Sequence, residues 1–170
     1  ATGCFCLLEG DTPCHMHALG GGVFAVFLPG RKLPLRYRYR FTFHGGGTWE
    51  REDPYRFAPT VGELDLYLLA EGNHRELWKV LGAQPRTIDE VAGVSFAVWA
   101  PAARRVSVVG DFCNWDARAY PMRALGASGV WELFIPGIGV GALYKYEIKT
   151  REGALRLKTD PMARAMELPP

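Results

Sequence analysis

The chain has 170 residues, 48% hydrophobic and 12% aromatic, with a net charge of +2. That is enough apolar material for one or two small packed domains and excludes a disordered segment. No apolar run approaches the roughly 18 residues of a membrane span, and the near-neutral balance implies no acidic partner.

Taken in chain order, the first signal is spacing. Cys4 and Cys6 stand two apart, as in a strand, and so do His15 and His17. From Gly22 the chain enters a stretch that it later repeats. Laid without a gap over Gly129–Pro161, Gly22–Pro54 matches at ten of 33 positions, against about two by chance. Gly22-Val23, Phe27, Pro29-Gly30, Tyr37, Tyr39, Gly46 and Asp53-Pro54 fall on Gly129-Val130, Phe134, Pro136-Gly137, Tyr144, Tyr146, Gly153 and Asp160-Pro161. Two copies of one unit divide the chain into two like modules. Each copy alternates around its tyrosines, as Arg36-Tyr37-Arg38-Tyr39-Arg40-Phe41 and Tyr144-Lys145-Tyr146-Glu147-Ile148-Lys149. Period two predicts a strand with its tyrosines inward and its Arg and Lys side chains in water. Gly46 and Gly153 then suit hairpin turns.

Leu64–Leu69 reads as a short strand or extended segment. Glu71–Gly82 carries helix signals: Asn73 as N-cap, an apolar stripe of Leu77, Val80 and Leu81, and Gly82 as the stop. Trp78 is expected to pack from that helix. Val94–Trp99 and Arg105–Val109 are two further strands, so Trp99 and Trp131 are also expected to pack. Short strands set off by Gly and Pro predict an all-β fold. We expect two immunoglobulin-like β-sandwich modules, the first incomplete, over 1–59 and 89–170, joined by a linker with a short helix over 60–88. The first copy lacks a counterpart of the Val94–Trp99 strand and is expected to be cut on its N-terminal side. A missing secretion signal in a chain that begins with Ala1 therefore carries little weight.

Glycoside chemistry needs two carboxylates about 5–10 Å apart across the bond. Glu50, Glu52 and Asp53, or Asp111 and Asp116, could supply them, but each cluster lies beside a turn where acids are ordinary surface residues. No Ser-His-Asp spacing, phosphate loop or dinucleotide fingerprint is present. The Arg36/Arg38/Arg40 row with interleaved tyrosines could touch nucleic acid. The plainer reading is a solvated strand face, and Glu147 interrupts the same row in the second copy. Cys4, Cys6, Cys14, His15 and His17 are potential zinc ligands, yet no Cys-x2-Cys with matching His spacing occurs. The expectation is no catalytic residue, no metal and no cofactor.

One string of residues resembles a known family. Gly93–Pro101, Val106–Asp116, Pro121-Met122, Gly129–Gly137 and Leu143–Glu147, with Asp53–Phe57 and Leu81–Ala83, are similar to the N-terminal region of bacterial glycogen branching enzymes. The resemblance covers nearly the whole chain. It implies tandem modules of the family-48 carbohydrate-binding type, the first incomplete, ahead of a family-13 (β/α)8 barrel. In the family that barrel cuts an α-1,4 glucan and rejoins it through an α-1,6 link. The barrel's carboxylates have no counterpart here, so the chain alone is expected to be inactive. The family has Asn where Cys113 stands, which puts one polar contact in doubt. Departures at Gln84, Ala102, Ala117 and Tyr120 are expected to change loop packing only.

The resemblance implies partners in α-1,4 glucan (glycogen or maltooligosaccharide) and in the barrel of the same polypeptide, with no nucleic acid and no membrane. It also implies a reducing cytoplasm and hence free thiols. A glucose ring stacks its C–H face on an exposed indole and hydrogen-bonds at its edge. Trp115 stands in the polar turn Gly110–Asp116, and Lys145 lies on the wet face of its strand. By resemblance these two match glucan-holding positions, and Asn114 is a candidate hydrogen-bond partner. Trp115 as a core or interface anchor remains open. So does the alternative function, a structural module that docks on the barrel without binding sugar, and, behind it, a regulatory sugar sensor. The family's second stacking Trp is replaced by Leu155-Arg156-Leu157, so affinity should be weak.

Overall fold

The computed structural model describes residues 1–167 and divides into two units, Ala1–Phe57 and a second from Ala58 on. The first unit contains β1 (Gly3–Leu8), β2 (Cys14–His15), β3 (His17–Gly20), β4 (Val23–Ala25), β5 (Tyr37–Thr42) and β6 (Thr48–Glu52). β2-β1-β5-β6 form one antiparallel sheet and β3-β4 a two-stranded ribbon. Alternation in β1 buries Cys4, Cys6 and Leu8, which with Met16 form the core of the unit. Phe24, Val26, Leu28, Tyr37, Tyr39 and Phe41 pack around them.

The second unit contains α1 (Glu63–Ala70), then β7 (Gly82–Ile88), β8 (Val91–Trp99), β9 (Ala103–Gly110), β10 (Arg123–Ala124), β11 (Val130–Pro136), β12 (Tyr144–Thr150) and β13 (Leu155–Lys158). Its two antiparallel sheets run β10-β11-β8-β7 and β13-β12-β9. Val94, Phe96 and Val98 of β8 and Leu133 and Ile135 of β11 meet Val106 and Val108 of β9 and Tyr146 of β12 in one core. This is a β-sandwich. The outer face of the four-stranded sheet is covered too. Val61, Leu66, Leu69, Leu77 and Leu81 lie over Ala97 and Val130, which explains why β8 is buried on both faces. No helix among the described residues is long and apolar enough to cross a membrane.

The repeat seen in the sequence recurs in the fold. β5 and β6 correspond to β12 and β13, and both pairs are antiparallel hairpins. β1 lies beside β5 as β9 lies beside β12. Each copy also closes the same polar knot. Tyr37 and Tyr39 donate their hydroxyls to Asp53 Oδ2 at 2.7 and 3.2 Å, while Asp53 Oδ1 accepts the Tyr55 N–H at 2.9 Å. Tyr144 and Tyr146 donate to Asp160 Oδ2, and Asp160 Oδ1 accepts the Met162 N–H at 2.8 Å. The tyrosines point inward, with Tyr146 wholly buried and the other three half-buried. The first unit is the smaller copy: it has only the β3-β4 ribbon where the second has a four-stranded sheet.

Between the copies, the helix is not where the sequence suggests. The expected strand at Leu64–Leu69 is helical, and the expected helix at Glu71–Gly82 reduces to a single 3-10 turn at Leu77–Lys79. The reason is Gly72, whose φ of +69° is left-handed. Gly72 N–H donates to Leu69 O and Asn73 N–H to Leu68 O, the bonding that ends a helix at a glycine. Asn73 therefore follows a helix instead of capping one. Leu77, Val80 and Leu81 still pack inward, but Trp78 is 57% exposed. Trp99, the last residue of β8 and paired with Val130, is 56% exposed as well, with its Nε1–H on Ser128 O at 3.2 Å. Trp131 is half-buried and donates to Ala100 O at 3.1 Å.

Candidate functional site

β9 ends at Gly110, directly opposite Tyr144 of β12. A Cβ on Gly110 would collide with Leu143 O and the Phe112 ring, so only glycine lets the two strands come together here. The chain then turns through a 3-10 element, Asp111–Cys113. Asp111 Oδ1 accepts the Phe112 N–H at 2.8 Å. The Phe112 ring packs against Tyr120 and Phe96, with centroids 5.7 and 6.3 Å away, and roots the turn in the core. Asn114 and Trp115 follow with φ of 50° and 59°, both left-handed. Trp115 N–H donates back to Gly110 O at 2.9 Å, and Asp116 N–H to Cys113 O at 3.0 Å.

This geometry leaves the Trp115 side chain 45% exposed and Asn114 exposed. Lys145 pairs with Val109, one residue before Gly110, on the strand alongside. Its ammonium makes no ion pair among the described residues, whereas its same-face neighbour Glu147 is held by Arg105 at 2.6 Å. Cys113 Sγ sits 3.4 Å from both Gly110 N and Gly110 O. The thiol is used inside the turn.

Next to the indole, Arg118 grips Asp116. Its Nη2 and Nε lie 2.7 and 2.9 Å from the carboxylate, and its backbone N–H adds a third bond at 2.9 Å. The guanidinium first, then the backbone N–H, holds the Asp116 carboxyl down at about 2. A folded value below the unfolded one gives stability that is present above the ordinary Asp pKa and is lost as pH falls through about 2. A carboxyl-carbon NMR titration is expected to give that low midpoint, and Arg118→Ala to return it toward the ordinary range. An ordinary midpoint in the unaltered chain would show that the clasp does not form in solution.

The other carboxylates considered for catalysis are committed elsewhere. Glu50 is bound by Arg40 at 2.7 Å and Arg38 at 3.6 Å, and Glu52 by Arg56 at 2.9 Å. Arg38 and Arg40 of the arginine row thus spend their charge on their own hairpin, while Arg36 faces Glu9 at 3.8 Å. Cys4, Cys6 and Cys14 pack in or against the core of the first unit, while the His15 ring stacks edge-on to Phe5 on the opposite face at 5.1 Å. The sequence reading passed over Trp49, which is 54% exposed on β6 with the Arg51 guanidinium 5.3 Å from its ring. It also gave no hint of a cavity of about 410 Å³ in the second unit, lined by Phe96, Ile138, Val140, Leu143 and Met162. Trp115, Asn114 and Lys145 are not part of its wall.

The matches to known proteins agree with this architecture. The description of carbohydrate-binding module 48 (isoamylase N-terminal domain) matches residues 80–163. A "1,4-alpha-glucan branching enzyme GlgB" of Frankia casuarinae is 56% identical over 155 residues, 88% of this chain and 19% of that protein. Another, "GlgB 1" of Streptomyces coelicolor, is 49% identical over 164 residues, 96% of this chain and 21% of that protein. A third, of Paramagnetospirillum magneticum, is 55% identical over 150 residues, 88% of this chain and 20% of that protein. The second unit therefore carries a module of carbohydrate-binding family 48. Along its length the chain belongs with the N-terminal region of the branching enzymes, and it spans about a fifth of the length of the curated relatives it matches.

Proposed function

We propose that this chain is the non-catalytic glucan-binding and spacing part of a glycogen branching enzyme that acts in the cytoplasm, preceding the catalytic barrel of the same polypeptide. The second unit holds a linear α-1,4 glucan, glycogen or maltooligosaccharide. The Trp115 indole is the stacking platform, and Lys145 and Asn114 hydrogen-bond the sugar edge. The supporting observation is an indole that a rooted, left-handed turn keeps in solvent, alongside a lysine with no ion-pair partner among the described residues. An apolar face beside a few polar groups is what a pyranose ring needs.

One stacked ring and a few wet hydrogen bonds give a dissociation constant on the order of 0.1–10 mM, about 3–5 kcal/mol. Trp115→Ala is expected to remove most of this while the module stays folded, because the ring is not part of the core. Lys145→Ala should weaken binding by less. Titration with maltoheptaose, followed by NMR shifts in the parent chain and both variants, measures this. Unchanged binding in Trp115→Ala would move the site elsewhere and favour a module that only docks on the barrel.

A further inference from the structure

The core of the first unit is rich in sulfur. Cys4 and Cys6 of β1 are 2% and 4% exposed, and β2 places Cys14 directly opposite Cys6. The Met16 N–H donates to Cys4 O at 2.9 Å, which marks Cys4/Met16 as a hydrogen-bonded pair of the ladder. Two residues along, Cys6/Cys14 is a pair of the same kind, and such pairs hold their Cα atoms about 5.5 Å apart. Disulfides span Cα separations of about 4.4–6.8 Å. Residues opposite each other in an antiparallel pair also project to the same face. The neighbouring pair shows this, with Cys4 Sγ 3.4 Å from Met16 Sδ. Cys14 is the accessible partner: it is partly exposed, and its Sγ lies 3.6 Å from Thr12 O at the turn. All four cysteines are free thiols.

We propose that Cys6 and Cys14 form a reversible oxidation site, in which a low-molecular-weight disulfide such as glutathione disulfide closes a cross-strand bridge between β1 and β2. The partly exposed Cys14 thiolate attacks glutathione disulfide, forms the mixed disulfide and releases one glutathione. The Cys6 sulfur, giving up its proton, then attacks Cys14 Sγ and expels the second glutathione. Two protein thiols are oxidised, one glutathione disulfide is reduced to two glutathiones, and no other reactant is needed. Burial, followed by the neighbouring Cys14 and Cys4 sulfurs, raises the Cys6 pKa, which makes it the poorer first nucleophile and leaves the opening attack to Cys14. The bridge would lock the Glu9–Pro13 turn. Cys4 has Met16 opposite it, and Cys113 belongs to the other unit.

The test is to incubate the full chain with glutathione disulfide, quench it with acid, and count thiols after denaturation. The parent chain and Cys113→Ser are each expected to lose two thiols and the mass of two hydrogens, both restored by dithiothreitol. Cleavage after both Phe5 and Glu9, which separates Cys4 from Cys6, should leave the Cys6 peptide joined to that of Cys14 and the Cys4 peptide free. Cys14→Ser should form neither bridge nor adduct, and Cys6→Ser should stop at a glutathione on Cys14. Four surviving thiols in the parent chain, an adduct on Cys14 that never resolves, or a bridge through Cys4 or Cys113 would each overturn the proposal. The peptide map of the parent chain decides this even if a variant fails to fold.

Discussion

Asp160→Ala is expected to destabilise the second unit by roughly 3–5 kcal/mol, and Asp53→Ala to destabilise the first by about 1–2 kcal/mol. The two carboxylates hold the same knot, two tyrosine hydroxyls and one backbone N–H, but in different surroundings. Asp160 is 4% exposed and Tyr146 wholly buried. Without the carboxylate, the Tyr146 hydroxyl loses its partner in a place water cannot reach. Tyr37 and Tyr39 are half-buried, so water can replace Asp53. Hydrogen exchange resolved by unit measures both. Equal losses would show that burial does not set the cost of breaking the knot.

The same knots govern alkaline behaviour. Burial first, with the nearby carboxylate adding to it, pushes Tyr39 up to about 12 and Tyr37, Tyr144 and Tyr146 further. A raised folded pKa gives stability that is complete below the ordinary tyrosine value of about 10 and is lost as pH rises through the folded values. Unfolding should therefore ease progressively above about pH 10.

Glu132→Ala is expected to cost a similar roughly 3–5 kcal/mol. Glu132 has no exposed surface. Its Oε2 takes Arg123 Nε at 2.9 Å, and its Oε1 takes the Thr60 hydroxyl at 3.0 Å and the Thr60 N–H at 3.3 Å. The Thr60 hydroxyl in turn meets that of Ser95. Removing the carboxylate strands a largely buried guanidinium and frees the segment that seals the outer face of β8. Replacing both charges, as Arg123→Leu with Glu132→Leu, should restore much of the loss, since a buried pair owes its cost to imbalance. Denaturant unfolding of the two singles and the double separates the terms. A double variant as unstable as the sum of the singles would refute the account.

The tyrosine strands and their Asp-Pro turns were legible because period two and a gap-free repeat are local patterns. The helix was not, since Leu64-Asp65-Leu66 alternates like a strand and the glycine that ends the helix looked like an interior residue. Glu132 gave no local warning either. It sits in Val130-Trp131-Glu132-Leu133-Phe134, where alternation suggests a wet face. Only Thr60, 72 residues away in sequence, and the segment around it make that face a second core. At the candidate site, the polar turn around Trp115 could be read from residue types. Its consecutive left-handed residues could not, because no propensity predicts a tryptophan there.

In the glucan site proposed above, those two left-handed residues set stability and recognition against each other. A non-glycine residue held in this conformation costs of order 1–3 kcal/mol, and Trp has less excuse for it than Asn. Phe112, packed on Phe96 and Tyr120, and Gly110, pressed against Leu143 O, hold the turn at its base. Under that proposal the reward is an indole already aimed before any sugar arrives, so little ordering remains to be done on binding. A turn relaxed by mutation would make a sturdier module whose aromatic ring wanders. Selection for toughness alone would therefore erode the proposed grip on glucan while leaving the sandwich intact.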